Sequence, residues 1–144
     1  MSVNYNEPIT FGRTGGAFGL NCTGVDFSED AYSWTCASVA ELDVQLPFAR
    51  QDVVLQVEAS PYLVPDLVFV QKVFLFLGGM FVGFCTFKGH GVRSFPVNRA
   101  VVSGRATRLS MVLPDATSPC DLQLSEDQRE LGIYLTSITF RTVP

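Results

Sequence analysis

The sequence predicts an all-β protein, a two-sheet antiparallel β-sandwich whose simplest topology is the jelly roll. Three observations favour this fold class. Apolar and polar residues alternate along several segments, which is the period of a strand with one exposed face. Gly, Pro, Asn and Asp separate these segments at short intervals, as turns between strands require. No long segment repeats its apolar residues with the period of an amphipathic helix.

Length and composition predict one domain, residues 1–144, with an irregular N-terminal segment over residues 1–24. Apolar residues make up 47% of the chain and charged residues 17%, whereas about 25% charged is typical. We therefore expect apolar surface that a partner covers, either a second copy or another domain of a longer polypeptide. The net charge is -4, and without a basic cluster no binding to nucleic acid is expected. No secretion signal begins the chain as given, which predicts a cytoplasmic location.

Regular alternation begins after the N-terminal segment. Residues 40–46 alternate apolar with acidic or amide side chains and end before a proline. Residues 53–59 follow the same pattern and end at a Ser-Pro pair. These two predicted strands are expected to pair as neighbours.

The apolar segment from Leu67 to Phe87 is predicted to be a buried β-hairpin. Its uninterrupted part is shorter than the roughly 20 residues that a membrane-spanning helix needs. Gly78 and Gly79 can adopt the positive φ angles of a tight turn. The first strand, 67–77, is apolar on both faces, so we expect it to be central and buried from both sides.

The second half of the chain adds further strands and two helical turns. In the last strand the apolar residues are at odd positions up to Leu135 and at even positions from Ile138. This change predicts a β-bulge near Thr136. Asn98 is a candidate cap of a helical turn over 98–103, and residues 125–129 resemble a second capped turn. The other predicted strands are 81–88, 92–97, 108–113 and 131–140.

The cysteines Cys22, Cys36, Cys85 and Cys120 lie far apart and form no Cys-x-x-Cys pair. This spacing argues against a zinc site. We expect free and mostly buried thiols. A disulfide between the first two is the alternative.

Little in the sequence favours catalysis. His90 is the only histidine, and its place between two glycines predicts an exposed turn residue, with a catalytic base or metal ligand as the alternative. No Gly-x-Ser-x-Gly segment is present. We expect no enzyme activity and no cofactor. A structural calcium is an alternative, and its candidate ligands are Asp115, Asp121, Glu126 and Asp127.

The segment before the first regular strand carries the only tryptophan. Trp34 lies near Tyr32 and the acids Glu29 and Asp30. An exposed aromatic ring can stack on the apolar face of a sugar, while carboxylates accept hydrogen bonds from its hydroxyls. These four residues are the candidate ligand contacts. The alternative places Trp34 in the core or at its edge.

The closing region resembles a known family. Residues 113–119 read Leu-Pro-Asp-Ala-Thr-Ser-Pro, residues 124–132 read Leu-Ser-Glu-Asp-Gln-Arg-Glu-Leu-Gly, and Leu135-x-x-Ile138 follows. They are similar to the ending of carbohydrate-binding-module-like β-sandwich domains attached to bacterial glycosyltransferases and other surface-polysaccharide proteins. Two upstream segments also fit this resemblance, namely Ser33-Trp34-Thr35 and Gly78-Gly79-x-x-Val82-Gly83. The resemblance implies a non-catalytic accessory role near glycans and identifies no ligand.

Four residues of this region are predicted to be structural. Asp127 and Arg129 can lock the long loop onto the last strand. Pro119 can fix the direction of the loop, and Gly132 can let another backbone come close. They are fold determinants in this interpretation.

The sequence is consistent with two functions. The first is carbohydrate recognition, or an accessory role, in bacterial surface-polysaccharide metabolism. The alternative is a structural module for protein–protein interaction or oligomerisation, with no small ligand. The expected partner is thus a glycan or a protein, with a homo-oligomer as one form of the latter, and no membrane span is expected.

Overall fold

The computed structural model describes residues 3–102 and 104–144. Two antiparallel sheets pack as a sandwich, which confirms the predicted all-β class. Short 3-10 turns occur over Gly16–Gly19 and Arg99–Val101. Across the described ranges, no helix is both long and apolar enough to cross a membrane. The strands are β1 (Ile9–Thr10), β2 (Cys22–Thr23), β3 (Val25–Asp26), β4 (Ser33–Thr35), β5 (Val39–Gln45), β6 (Asp52–Pro61), β7 (Gln71–Leu77), β8 (Met80–Phe87), β9 (Gly91–Val97), β10 (Ala106–Val112) and β11 (Ile133–Val143).

The five-stranded sheet has the order β2-β5-β10-β7-β8, and the six-stranded sheet has the order β3-β4-β11-β6-β9 with β1 also paired to β11. Strands β5 and β6 therefore lie in different sheets, so their predicted pairing is wrong. Alternation shows that each strand has one buried face, but it does not select the hydrogen-bonded partner. Buried residues such as Leu42 of β5 and Leu55 of β6 instead enter the common core from opposite sheets.

Strand β7 starts later than predicted. It begins at Gln71 rather than Leu67, because residues 64–68 form a turn in which the Val64 amide donates to the Val68 carbonyl at 3.0 Å. It pairs with β10 on one side and with the edge strand β8 on the other, so it is an interior strand as predicted, but its predicted burial from both sides is wrong.

Burial along β7 is one-sided. Val73, Leu75 and Leu77 are buried, whereas Phe74 and Phe76 are half-exposed. Among the described residues, no further layer covers the outer face of the five-stranded sheet. The phenylalanines therefore remain at the surface although their strand is apolar on both faces.

The hairpin between β7 and β8 confirms the predicted turn, but Met80, Phe81 and Phe84 of β8 are exposed, so the hairpin is not buried as predicted. Gly78 and Gly79 form its two-residue turn with φ angles of 60° and 82°. Both values are in the left-handed region, as a type I′ turn requires.

We expect Gly79→Val to lower the free energy of unfolding by about 1–2 kcal/mol, because a β-branched residue is strained at positive φ. No atom lies within 4 Å of an added Cβ at Gly79, so strain is the only expected penalty. Gly79→Asn is the matched control, since asparagine tolerates this conformation. Chemical denaturation checks both variants, and equal losses for Asn and Val would contradict the turn assignment.

The predicted β-bulge is confirmed in β11. Pairing with β6 shifts register between Leu135 and Ser137, which leaves Thr136 without a ladder partner. The Thr136 carbonyl accepts instead from the Phe11 amide at 3.1 Å. The bulge keeps buried residues on the core side both before and after it, for example Leu135 and Ile138.

The two predicted helical turns have different outcomes. Asn98 caps the 3-10 turn by accepting from the Ala100 amide at 2.9 Å, while Ser103 lies outside the described residues. The turn predicted over 125–129 is wrong, because this segment is irregular. The Ser125 hydroxyl accepts from the Asp127 amide only two residues later, which forms a tight local turn instead of a helix cap.

All four cysteines are free thiols, so the alternative disulfide between Cys22 and Cys36 is not formed. Cys85 is buried, and the other three are half-buried. Burial raises the pKa of Cys22 and of Cys85 to about 11, with the charge of Asp43 adding to the rise at Cys22. Both thiols are therefore protonated at neutral pH.

Candidate functional site

Four aromatic side chains meet on the outer face of the six-stranded sheet. We call Tyr32, Trp34, Tyr62 and Tyr134 the aromatic cluster. Ring centroids lie 5.2 Å apart for Trp34 and Tyr134, 4.5 Å for Tyr32 and Tyr134, and 6.0 Å for Trp34 and Tyr62. All four side chains are half-exposed. The cluster therefore presents a group of aromatic surfaces to solvent.

Strand β4 positions Trp34 through its two buried neighbours. The Thr35 hydroxyl accepts from the Ile133 amide at 3.0 Å and donates to the Ile133 carbonyl at 3.1 Å. The Ser33 hydroxyl accepts from the Gly12 amide at 2.9 Å. Because Ser33 and Thr35 point inward, the alternation of the strand directs Trp34 outward.

The structure brings together two of the four candidate ligand residues, Tyr32 and Trp34, whose ring centroids are 6.4 Å apart. The contacts of the other two, Glu29 and Asp30, are with Arg13. Asp30, whose side chain is 87% exposed, pairs with Arg13 at 3.2 Å, and the Glu29 backbone carbonyl accepts from the Arg13 amide at 2.8 Å. No hydrogen bond of the described residues joins either carboxylate to the aromatic cluster.

Sequence reasoning missed Tyr62 and Tyr134. Tyr134 lies between the buried residues Ile133 and Leu135, so its outward phase was visible in the alternation of the last strand. Its register places it opposite both Trp34 of β4 and Ser60 of β6. That register could not be obtained without the sheet order.

A hydrogen-bonded chain of polar residues lies beside the aromatic cluster. The Ser60 hydroxyl is 2.6 Å from His90 Nδ1, and His90 Nε2 is 2.8 Å from Glu58 Oε2. His90 is exposed, as its place in a turn predicts. Ser60 is only 6% exposed, so its hydroxyl is not open to a substrate. The chain holds the imidazole ring against Ser60, which is opposite Tyr134 in the β6–β11 register.

A second polar group lies on the opposite side of the cluster. Arg129 Nη1 donates to Asp26 Oδ2 at 2.7 Å, and Arg129 Nη2 donates to Asp127 Oδ2 at 2.7 Å. Asp26 is in register with Trp34 across the β3–β4 pair. Burial and the charge of Asp127 raise the pKa of Tyr62. Arg129 thus ties its loop to β3, the strand that pairs with β4 opposite Trp34.

The ion pairs shift the pKa values of their members. Hydrogen bonds from Arg129 and its charge lower the pKa of Asp127 and outweigh a small effect of burial. Burial raises the pKa of Asp26, but hydrogen bonds from Ser28 and Arg129 together with the charge of Arg129 bring it below its ordinary value. The two carboxylates raise the pKa of Arg129. All three groups are charged at neutral pH.

Pro119 and Gly132 also lie in this region. Pro119 is buried, and its carbonyl accepts from the Leu124 amide at 3.0 Å. The Gly132 carbonyl accepts from the Tyr62 amide at 2.8 Å. A Cβ at Gly132 would lie 3.0 Å from the Thr35 hydroxyl oxygen. A larger residue would therefore press against the Thr35 hydroxyl, whose hydrogen bonds hold β4 in place.

The acids considered for calcium do not assemble. Asp115 Oδ1 pairs with Lys72 Nζ at 2.9 Å, and Asp127 pairs with Arg129. Within residues 3–102 and 104–144, no group of three or more His, Cys, Asp or Glu side chains is arranged to hold a metal ion.

A shallow groove extends the same sheet face away from the aromatic cluster. It has a volume of about 170 Å³ and includes Glu58, Ser137 and Arg141 among its lining residues. Arg141 donates a hydrogen bond to Gln56 across it. The groove adjoins the polar chain because Glu58 belongs to both.

Several solved structures of other proteins have a similar fold. No family model and no curated protein sequence matches the chain. Among solved structures, it is similar to the CBM36-1 domain of a multidomain xylanase from the hindgut metagenome of Trinervitermes trinervoides, with a TM-score of 0.54 at 9% identity over 89% of this chain and 94% of that one. It is also similar to the C-terminal CBM6 of LamC, a marine laminarinase from Zobellia galactanivorans, with a TM-score of 0.54 at 10% identity over 94% and 98% of the two chains.

A third similar structure is the Podospora anserina GH26-CBM35 β-(1,4)-mannanase, with a TM-score of 0.53 at 12% identity. The match covers 95% of this chain but only 28% of that one. At these identities the likeness concerns the fold. The chain therefore shares its β-sandwich architecture with carbohydrate-binding modules.

Proposed function

We propose that the chain is a non-catalytic carbohydrate-recognition module that binds its ligand through the aromatic cluster. The observation that carries this proposal is the half-exposed group of Tyr32, Trp34, Tyr62 and Tyr134 on an open sheet face. The rings contact one another, and Trp34 and Tyr134 are held on β4 and β11, so little side-chain freedom is lost when a ligand stacks on them.

The chemistry of the face suits a sugar. Aromatic rings offer flat apolar surface to the C–H groups of a pyranose, and they retain polar tips for its hydroxyls. Polar side chains lie on both sides of the rings: His90 bonds Ser60, which is opposite Tyr134, and Asp26 is opposite Trp34. A ligand with an apolar face and a polar rim can therefore stack on the rings and form hydrogen bonds with the flanking side chains.

Two further observations support the proposal. Domains named as carbohydrate-binding modules share the sandwich fold. The closing region resembles accessory domains of bacterial surface-polysaccharide proteins, which favours a role in that metabolism. Glu29 and Asp30 remain predicted contacts at the loop that leads into Tyr32.

A glycan array followed by calorimetry tests the proposal. We expect saturable binding of at least one glycan, and we expect Trp34→Ala to weaken it by about tenfold, which is about 1.4 kcal/mol. Phe48→Ala is the control, because Phe48 is 73% exposed in the loop between β5 and β6. Circular dichroism of both variants establishes that they are folded. Absence of glycan binding, or equal affinity in Trp34→Ala, would overturn the proposal.

A further inference from the structure

A cation with unoccupied donors lies in the groove beside the polar chain. Arg141 is exposed near the end of β11, and its Nε donates to Gln56 Oε1. Among the described residues, no hydrogen bond or ion pair involves its two Nη atoms. In Arg129, by contrast, both Nη atoms already bond carboxylates. Arg141 therefore keeps the pair of donors that can bind an oxyanion.

The guanidinium group is held in place by the side chain of Gln56. Gln56 Oε1 accepts from Arg141, and Gln56 Nε2 donates to the Ser94 hydroxyl of β9 at 3.3 Å. Gln56 thus links β11 to β9 across β6, the strand between them. An arginine restrained in this way loses less side-chain freedom on binding a ligand than an unrestrained one.

A hydrogen-bond acceptor lies beside this cation. Gln56 and Glu58 project from the same face of β6, about 7 Å apart. Glu58 Oε2 is bonded to His90, whereas the one hydrogen bond of Glu58 Oε1 within the described part of the chain is to the Ser137 hydroxyl, at 3.5 Å. That oxygen can therefore accept from a sugar hydroxyl. A carboxylate or sulfate would be repelled by Glu58, so the groove orients an acidic sugar with its anion towards Arg141.

The groove and the aromatic cluster are parts of one continuous face. In the β6–β11 register, Ser60 is opposite Tyr134 and Glu58 is opposite Ser137. The polar chain therefore lies between the cluster and Arg141. At about 3.3 Å per residue, Tyr134 and Arg141 are about 20 Å apart along β11. One sugar ring cannot span this distance, whereas an oligosaccharide can.

We propose, on the basis of the carbohydrate recognition proposed above, that the ligand of this face is an acidic oligosaccharide. One sugar stacks on the aromatic cluster, and a carboxylate or sulfate group of a unit further along the ligand pairs with Arg141. The net charge of -4 gives the protein no general attraction for an anion. Selectivity then depends on the position of Arg141 rather than on the total charge.

Calorimetry with oligosaccharides that differ in charge tests this proposal. Oligomers of galacturonic acid and of glucuronic acid, and sulfated oligomers of galactose, are compared with neutral oligomers of galactose and glucose of the same length. We expect at least one acidic oligomer to bind about fivefold more tightly than its neutral counterpart, the gain typical of one exposed ion pair. The uronic-acid and sulfated series distinguish the two anions. The preference should shrink as the ionic strength rises, because salt screens exposed charges.

Arg141→Gln should remove this preference, so that acidic and neutral oligomers bind with equal affinity. Arg105→Gln is the matched control, because it removes the same charge from an exposed arginine next to β10 in the other sheet and should keep the preference. Circular dichroism establishes that both variants are folded.

Equal affinity of the wild type for every acidic oligomer and its neutral counterpart would overturn the proposal while leaving carbohydrate recognition intact. A preference that persists in Arg141→Gln, or that Arg105→Gln also removes, would do the same. A glycan array without any binding would instead overturn the carbohydrate recognition on which this proposal depends.

Discussion

Thr35→Val should lower the free energy of unfolding by about 3 kcal/mol, although the two side chains have nearly the same shape. Thr35 is fully buried, and its hydroxyl bonds both the amide and the carbonyl of Ile133. Valine can make neither bond, so two buried backbone groups would lose their partner. Each such group costs about 1–3 kcal/mol.

Urea denaturation followed by fluorescence of Trp34 measures this effect directly, because the chain has one tryptophan and it adjoins Thr35. The midpoint should fall by roughly 1–2 M. Thr23→Val is the control, since Thr23 is exposed in β2 and a hydroxyl there remains hydrated. Equal midpoints for wild type and Thr35→Val would contradict the role assigned to the hydroxyl.

Arg129→Ala should lower the free energy of unfolding at neutral pH by about 2 kcal/mol, a value that allows for the 32% exposure of the Arg129 side chain. The substitution removes the hydrogen bonds to Asp26 and Asp127 and leaves two carboxylates without their cation. Affinity for a ligand should change little, because the Arg129 donors are already occupied by these carboxylates. The melting temperature should fall by about 4–8 °C.

The effect of Arg129→Ala should depend on pH. The folded-state pKa of both carboxylates lies below the unfolded value of 3.8. Their contribution to stability is therefore fully present above that value and is lost as the pH falls through the folded-state pKa. Melting curves at neutral and strongly acidic pH should show the difference from wild type only at the former. Arg50→Ala, at an exposed position, is the control, and equal melting temperatures at neutral pH would contradict the prediction.

Local patterns in the sequence predicted much of the fold. The turn at Gly78 and Gly79 and the bulge after Leu135 were both predicted correctly, because each depends on residues close together in the chain. The pairing of β5 with β6 and the burial of β7 from both sides were wrong. Strand partners and sheet order depend on contacts between distant segments, and alternation contains no information about them.

The residues of the candidate site could likewise be predicted only in part from the sequence. Tyr32 and Trp34 are near each other in the chain, and the structure keeps them together. Tyr134 joins them only through the β4–β11 register, and His90 reaches Glu58 and Ser60 only because a turn folds over β6. No spacing rule connects residues so far apart.

The sequence by itself determined the all-β class, the positions of most strands and the presence of an unusual amount of apolar surface, because side-chain periodicity and turn chemistry are local properties. Only the tertiary structure decided which strands are neighbours, and hence that four aromatic rings share one sheet face while four phenylalanines share the other. The physical reason is that strand pairing is settled by the burial of the whole core at once, so the composition of each outer face depends on the complete set of registers.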